Sequence, residues 1–180
     1  MRISAKNSNL GFTLIELMIV IVIAAILLAL AIPAFRDIID RNRLKGATET
    51  IYSGMQFAKS EAIKRNVPVR VNFTTSNGGA TWCYGLIENA DCDCSDDVPL
   101  CQIDGIKKVV PGSSDYPGTV VTPSANFSFD NVRGTVNSGN VQIVSAQGKQ
   151  TRVVMSGLGR ARICSPSGTA NVPGYSSPCP

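Results

Sequence analysis

Hydrophobic positions change their period along this chain. From Phe12 to Phe35 nearly every position is apolar, and Glu16 is the one formal charge. About 20 apolar residues in a helix cross a bilayer core, so the run predicts a membrane-spanning helix. After it, Leu44, Ala47, Ile51, Met55, Ala58 and Ala62 recur at steps of three and four, with Arg36, Asp37, Arg41, Arg43, Lys45, Glu49, Lys59, Glu61 and Lys64 between and around them. That is one apolar stripe on a helix that packs on a domain. Pro33 predicts a kink or local break. Gly46 and Gly54 weaken the second half. Asn66 followed by Pro68 reads as the stop.

From Val67 onward the apolar runs shorten and turn residues separate them, which is a strand pattern. The predicted strands are 67–75, 80–88, 106–110, 119–122, 126–129, 141–146, 151–156 and 160–164. Val69, Val71 and Phe73 alternate with Arg70 and Asn72, which predicts one buried face. Gln147-Gly148-Lys149 and Gly157-Leu158-Gly159 read as hairpin turns. Residues 165–180 hold few long apolar side chains and read as irregular. The fold class is α+β: one long helix, half membrane-spanning and half amphipathic, packed on antiparallel sheet.

Charge alters this picture because it is unevenly placed. Residues 71–106 hold Glu88, Asp91, Asp93, Asp96, Asp97 and Asp104 and no base, whereas residues 131–180 hold Arg133, Lys149, Arg152, Arg160 and Arg162 and no acid. The second stretch predicts an anion-facing surface. The competing expectation is that its bases sit on solvated strand faces or pair with the acidic stretch. Arg2 and Lys6 precede the apolar run. Basic flanks stay cytoplasmic, which places the C-terminal bulk on the outer side.

Six cysteines, Cys83, Cys92, Cys94, Cys101, Cys164 and Cys179, follow the apolar run. An even number on the outer side of a membrane predicts disulfides in an oxidising periplasm, but spacing does not choose among the possible pairings. Cys164–Cys179 is the expected local closure, tying down a Pro/Ser/Gly-rich tail and leaving the other four to pair among themselves. A metal site at Cys92-Asp93-Cys94 with Asp91, Asp96 and Asp97 is disfavoured. Zinc sites use two-to-four-residue spacers and often histidine, and this chain has no histidine. No cofactor is expected.

The start of the chain resembles the class III signal of type IV prepilins and pseudopilins. The residues that carry the likeness are a short basic leader, then Gly11, Phe12, Thr13, Leu14, Ile15, Glu16 and the apolar run. The resemblance implies cleavage by a prepilin peptidase between Gly11 and Phe12, methylation of the new amine on Phe12, and an assembly role for Glu16. A carboxylate among lipid tails needs a partner. The Phe12 amine of a neighbouring subunit would supply one and relieve both desolvated charges. Two other readings of this start are an ordinary secretory signal cut near Ala29-Leu30-Ala31 and a plain anchor. The first expects an apolar core of about 7–15 residues, shorter than this run. The implied organisation is a leader over 1–11, a transmembrane and assembly helix over 12–35, an amphipathic helix over 36–66 and a β-rich pilin domain over 67–180. The implied setting is the inner membrane with a periplasmic domain, then the pilus at the cell surface. Other pilin subunits are the implied partners.

Further along, Phe127-Ser128-Phe129-Asp130, Arg133-Gly134-Thr135, the strand at 151–156 and Gly159-Arg160-Ala161-Arg162 resemble the soluble domain of the GspH/FimT family of minor pilins and pseudopilins. FimT-like members bind DNA through a Gly-Arg-x-Arg motif, which falls here on Gly159, Arg160, Ala161 and Arg162. The residues themselves support this. Two arginines two apart on a strand share a face at roughly 6.5–7 Å, a spacing at which two guanidinium forks reach neighbouring phosphates. Arg152, Lys149 and Arg133 would widen the patch. With no aromatic beside the pair, base stacking is not indicated, and phosphate contacts alone read no sequence. The expectation is therefore a minor type IV pilin that holds DNA during uptake. The alternatives are a purely structural FimU-like minor pilin, a GspH-type pseudopilin of type II secretion and, last, a major subunit. No enzyme is expected. Without histidine there is no Ser-His or Cys-His pair, and no Gly-rich phosphate loop joins a strand to a helix.

Overall fold

The computed structural model describes residues 13–96, 100–176 and 178–179, excepting the side chains of 31–34. The chain forms two compact units, Met1–Ile38 and Ile39–Pro180. A single helix, α1 (Leu14–Arg65), contributes to both.

In the first unit, every side chain from Thr13 to Leu30 is exposed. This stretch is long and apolar enough to cross a membrane. Thr13 starts the helix as its N-cap. The Glu16 amide donates to Thr13 Oγ1 at 3.2 Å, and the Leu17 amide donates to Thr13 O at 3.2 Å. Thr13 and Glu16 thus hold the Thr-x-x-Glu spacing of a capping box, and an acid in the first turn suits the helix dipole. The helix runs through position 33 as one element, so Pro33 does not break it.

In the second unit, the stripe is the spine of the core. Leu44, Ala47, Met55, Ala58 and Ala62 are fully buried and Ile51 almost so. Gly46 and Gly54 have a packing reason. A Cβ on Gly54 would sit 2.6 Å from the Tyr84 hydroxyl, and one on Gly46 would sit 2.6 Å from the Tyr116 ring. Each glycine costs helix propensity and admits an aromatic ring against the backbone. The helix ends at Arg65, and Asn66 takes the left-handed conformation (φ 55°) common just past a helix C-terminus.

Two four-stranded antiparallel sheets pack into this core. The first has the order β5 (Val109–Val110), β2 (Thr81–Glu88), β1 (Val69–Ser76), β7 (Phe127–Phe129). The second has the order β10 (Ala161–Cys164), β9 (Gln150–Met155), β8 (Gly139–Val144), β6 (Val120–Pro123). Phe127, Phe129, Val121, Val141, Ile143 and Val153 are fully buried and join the helix stripe in one cluster. Thr48 Oγ1 and Thr151 Oγ1 meet at 2.6 Å inside it. Buried hydroxyls need such a partner.

The two sheets differ in how many faces they bury. β9 alternates buried and half-buried positions, as a strand with one core face should. β2 is buried continuously from Trp82 to Ile87, and Asn72 of β1, expected on an open face, is also buried. The cysteine-rich segment covers that second face. Disulfides Cys83–Cys94 and Cys92–Cys101 fold it back, and Cys101 Sγ lies against Gly85. Asn72 Nδ2 donates to Asp91 Oδ1 at 2.9 Å.

The strand predicted over 106–110 is two pieces. β4 (Ile106–Lys107) pairs with β3 (Gln102–Ile103), while β5 pairs with β2. Asp104 and Gly105, both at positive φ, turn the β3–β4 hairpin, an Asp-Gly signal the strand reading missed. A short helix, α2 (Gly112–Asp115), precedes β6. Cys164–Cys179 closes the tail, and Ser176 forms a parallel bridge to Cys164.

Candidate functional site

The hairpin of β9 and β10 carries the Arg pair. Its turn is closed by the Ser156 amide donating to Arg160 O at 3.0 Å and the Gly159 amide donating to Ser156 O at 2.9 Å. Gly159 has φ 70°, and a Cβ there would collide with Gly134 O. Conformation and space therefore both require glycine. Ala161 is buried between Arg160 and Arg162, which are both exposed. Strand alternation sends Arg162 of β10 to the face away from the core, and Arg160 stands on the turn just before that strand.

A second segment docks on this turn. Asp130 Oδ1 accepts from the Val132 amide at 3.0 Å and the Arg133 amide at 2.9 Å, and Gly134 N donates to Asp130 O. The loop so formed reaches the hairpin through the Val136 amide, which donates to Gly157 O at 3.1 Å. Arg133 is therefore carried to the tip that bears Arg160. Lys59 of α1 completes the group. Its Nζ donates to Gly159 O at 3.0 Å, and its stem lies under Gly134. Sequence reading placed Lys59 on a helix flank, because nothing local links it to a glycine a hundred residues later.

The other two candidates stand apart. Arg152 is half-buried on the same sheet face, paired in register with Cys164, and its Nε is buried with no hydrogen-bond partner. Lys149 lies at the far end of β9, about 20 Å from the turn by strand rise. Its Nζ donates to Thr169 O at 2.7 Å. Arg162 also borders a recess of about 240 Å³ lined by Val154, Cys164, Ser176, Pro178 and Cys179. A cavity of about 500 Å³ between α1 and β5 shares no residue with the hairpin.

Arg133, Arg152, Arg160 and Arg162 form no ion pair among the described residues. The acids engage elsewhere. Arg70 meets Asp91 at 2.7 Å, and Arg65 meets Glu61 at 2.6 Å, Glu88 at 3.5 Å and Asp104 at 3.3 Å. Hydrogen bonds from Asn72 and then Arg70 hold the Asp91 carboxyl below the usual range. Ser95 and Thr74 do the same for Asp93, and Arg65 does so for Glu61. The competing reading offered pairing of the acidic stretch with the C-terminal bases; instead Glu88 and Asp104 meet Arg65, Asp91 meets Arg70, and Asp93 is held by Thr74 and Ser95. Asp97 lies outside the described residues.

At the other end of the chain, Gly11 and Phe12 lie outside the described residues, and Glu16 is exposed in the first turn of α1. All six cysteines are in disulfides, and no group of acids or cysteines poised for a metal occurs among the described residues.

A family model described as type II transport protein GspH matches residues 47–159, and one described as the prokaryotic N-terminal methylation motif matches residues 6–32. The type IV major alpha-pilin of Moraxella bovis is 38% identical over 63 residues, 35% of this chain and 40% of that protein. Fimbrial protein EcpC of Eikenella corrodens is 46% identical over 56 residues, 31% of this chain and 36% of that protein. The match thus spans less than half the length of these curated relatives. A crystal structure of the Pseudomonas aeruginosa type IV minor pilin FimU aligns over 76% of this chain and 96% of that one, at 16% identity and a TM-score of 0.48.

Proposed function

The chain belongs to the family described as type II transport protein GspH, as a type IV minor pilin or pseudopilin, and we propose that within a pilus it holds DNA through the Arg160–Arg162 hairpin. The observation that carries this reading is the state of that hairpin. Arg160 and Arg162 stand exposed on either side of buried Ala161, without a carboxylate partner among the described residues, on a hairpin braced by Lys59 and the Arg133 loop. Free guanidinium forks suit backbone phosphates. Such contacts position DNA without reading its sequence, so binding serves uptake of any duplex in natural transformation.

Few contacts make each subunit a weak binder with a clear salt signature. With about two to four phosphates engaged, log affinity falls against log salt with a slope of roughly −2 to −4. The test is a low-salt mobility-shift assay on the full chain in detergent. Arg160→Gln with Arg162→Gln should abolish retention of random duplex, and equal retention by wild type and variant would end the DNA reading.

The membrane side of the proposal rests on the apolar segment and the methylation motif. A prepilin peptidase cuts after Gly11, the inner membrane holds residues 12–35, and the domain faces the periplasm before assembly. Glu16 then neutralises the Phe12 amine of a neighbouring subunit. Glu16→Ala should leave cleavage intact and reduce incorporation into filaments. Undiminished incorporation would remove Glu16 from the assembly account. A second reading, a pseudopilin of type II secretion, is favoured by the description of the matched family. It predicts the same anchor with no DNA retention.

A further inference from the structure

Leu158 and Val132 are 81% and 75% exposed, unusual for large apolar side chains outside the membrane segment. They are not scattered. Leu158 is the apex of the β9–β10 turn, and Val132 belongs to the loop that docks on that turn through Val136 and Gly157. Arg160 follows one apex by two residues, and Arg133 follows the other by one. The tip is rigidly built: Ser156, Gly159, Asp130 and Lys59 each contribute a hydrogen bond that fixes one of the two turns. Holding two greasy side chains out in water on fixed turns gains nothing for the fold itself.

We propose that Leu158, seconded by Val132, is a wedge that enters the base stack of duplex DNA while Arg160 and Arg133 grip the phosphates on either side. This rests on the DNA reading above and adds to it a mode of engagement. Apolar side chains flanked by arginines part base steps and kink the duplex, and the step that parts most easily is favoured. The protein would then prefer deformable DNA, such as pyrimidine–purine steps or a gap, while still reading no base edges. The flanking charge favours a polyanion over a neutral surface. An anionic bilayer is the other polyanion.

The test uses the full chain in nanodiscs of zwitterionic lipid, with duplexes carrying 2-aminopurine beside one central TA step and a matching set with a one-nucleotide gap. Wild type should raise 2-aminopurine fluorescence and bind the gapped duplex about tenfold more tightly than the intact one. Leu158→Ser with Val132→Ser should keep the wild-type thermal midpoint and salt slope but lose both the fluorescence rise and the gap preference. If that variant keeps them, the wedge is wrong although the DNA reading stands. If Arg160→Gln with Arg162→Gln binds intact duplex as wild type does, the DNA reading itself fails. Co-flotation of the wild type, but not the Leu158/Val132 variant, with phosphatidylserine vesicles and no fluorescence change on DNA would assign the tip to lipid and overturn the proposal.

Discussion

Asp91, in the segment that covers the first sheet, and Arg162, on β10 of the second, are charged side chains of one domain whose surroundings differ in kind. Asp91 has Arg70 at 2.7 Å and Asn72 at 2.9 Å, whereas Arg162 has no ion pair among the described residues and sits exposed beside a shallow recess. The difference extends to their regions. In 71–106, the acids bind a cysteine-laced segment onto the second face of the first sheet and onto the end of α1. In 131–180, Arg152 and Arg162 lie on a sheet that is already complete without them, and Arg133 and Arg160 stand on the turns at its end. Charge that organises a fold is neutralised locally, and charge left without a partner is available to something outside the molecule.

Perturbing the two regions should separate these roles. The largest effect is expected from Cys92→Ser with Cys101→Ser, because this disulfide pins the acidic segment against a buried strand. The loss should be about 2–4 kcal/mol, read from the thermal midpoint. An unchanged midpoint would mean the acids alone hold the segment. Next comes Arg65→Met, which strips Glu61, Glu88 and Asp104 of their shared counterion while keeping most of the side-chain volume. Its fall in midpoint should lie between the disulfide pair and the arginine pair.

Acidification should act in the same region and more weakly. Glu61, Asp91 and Asp93 are held below the usual carboxylate range by hydrogen bonds and neighbouring cations. Between their folded and unfolded values, the unfolded chain binds more protons. Their contribution is therefore whole above about pH 4–5 and disappears as pH falls through the lowered folded values. An unfolding titration by circular dichroism should show stability declining in that window, and stability rising there would reverse the argument. The smallest effect on stability, within about 0.5 kcal/mol, is expected for Arg160→Gln with Arg162→Gln, because no partner is lost. That pair should nevertheless have the largest effect on DNA retention. A clear loss of stability would show that these arginines do work for the fold.

Much of this fold is legible because its signals are local. The stripe from Leu44 to Ala62 is buried throughout, as its spacing requires. Asn66 ends the helix, and the turns at Gln147–Lys149 and Gly157–Gly159 join the predicted strands. What escaped involves contacts between distant residues. Asn72 reads as solvent-facing by alternation but is buried, because a disulfide-tied segment folds over it. Val109–Val110 leaves the strand begun at Ile106, because its partner is Tyr84–Gly85 rather than Gln102–Ile103. At the site, the Arg pair is readable from alternation, whereas the bracing by Lys59 and the separation of Lys149 are not.

The sequence by itself determined most of the elements, the buried helix face, the prepilin-like start and the turn that carries Arg160, because periodicity, caps and turns depend on residues within a few positions of each other. Tertiary structure decided which charges found partners, how two turns about a seventh of the chain apart in sequence became one tip, and which cysteines met. Those outcomes depend on how sheets and helix pack as a whole, and a local pattern carries no record of that.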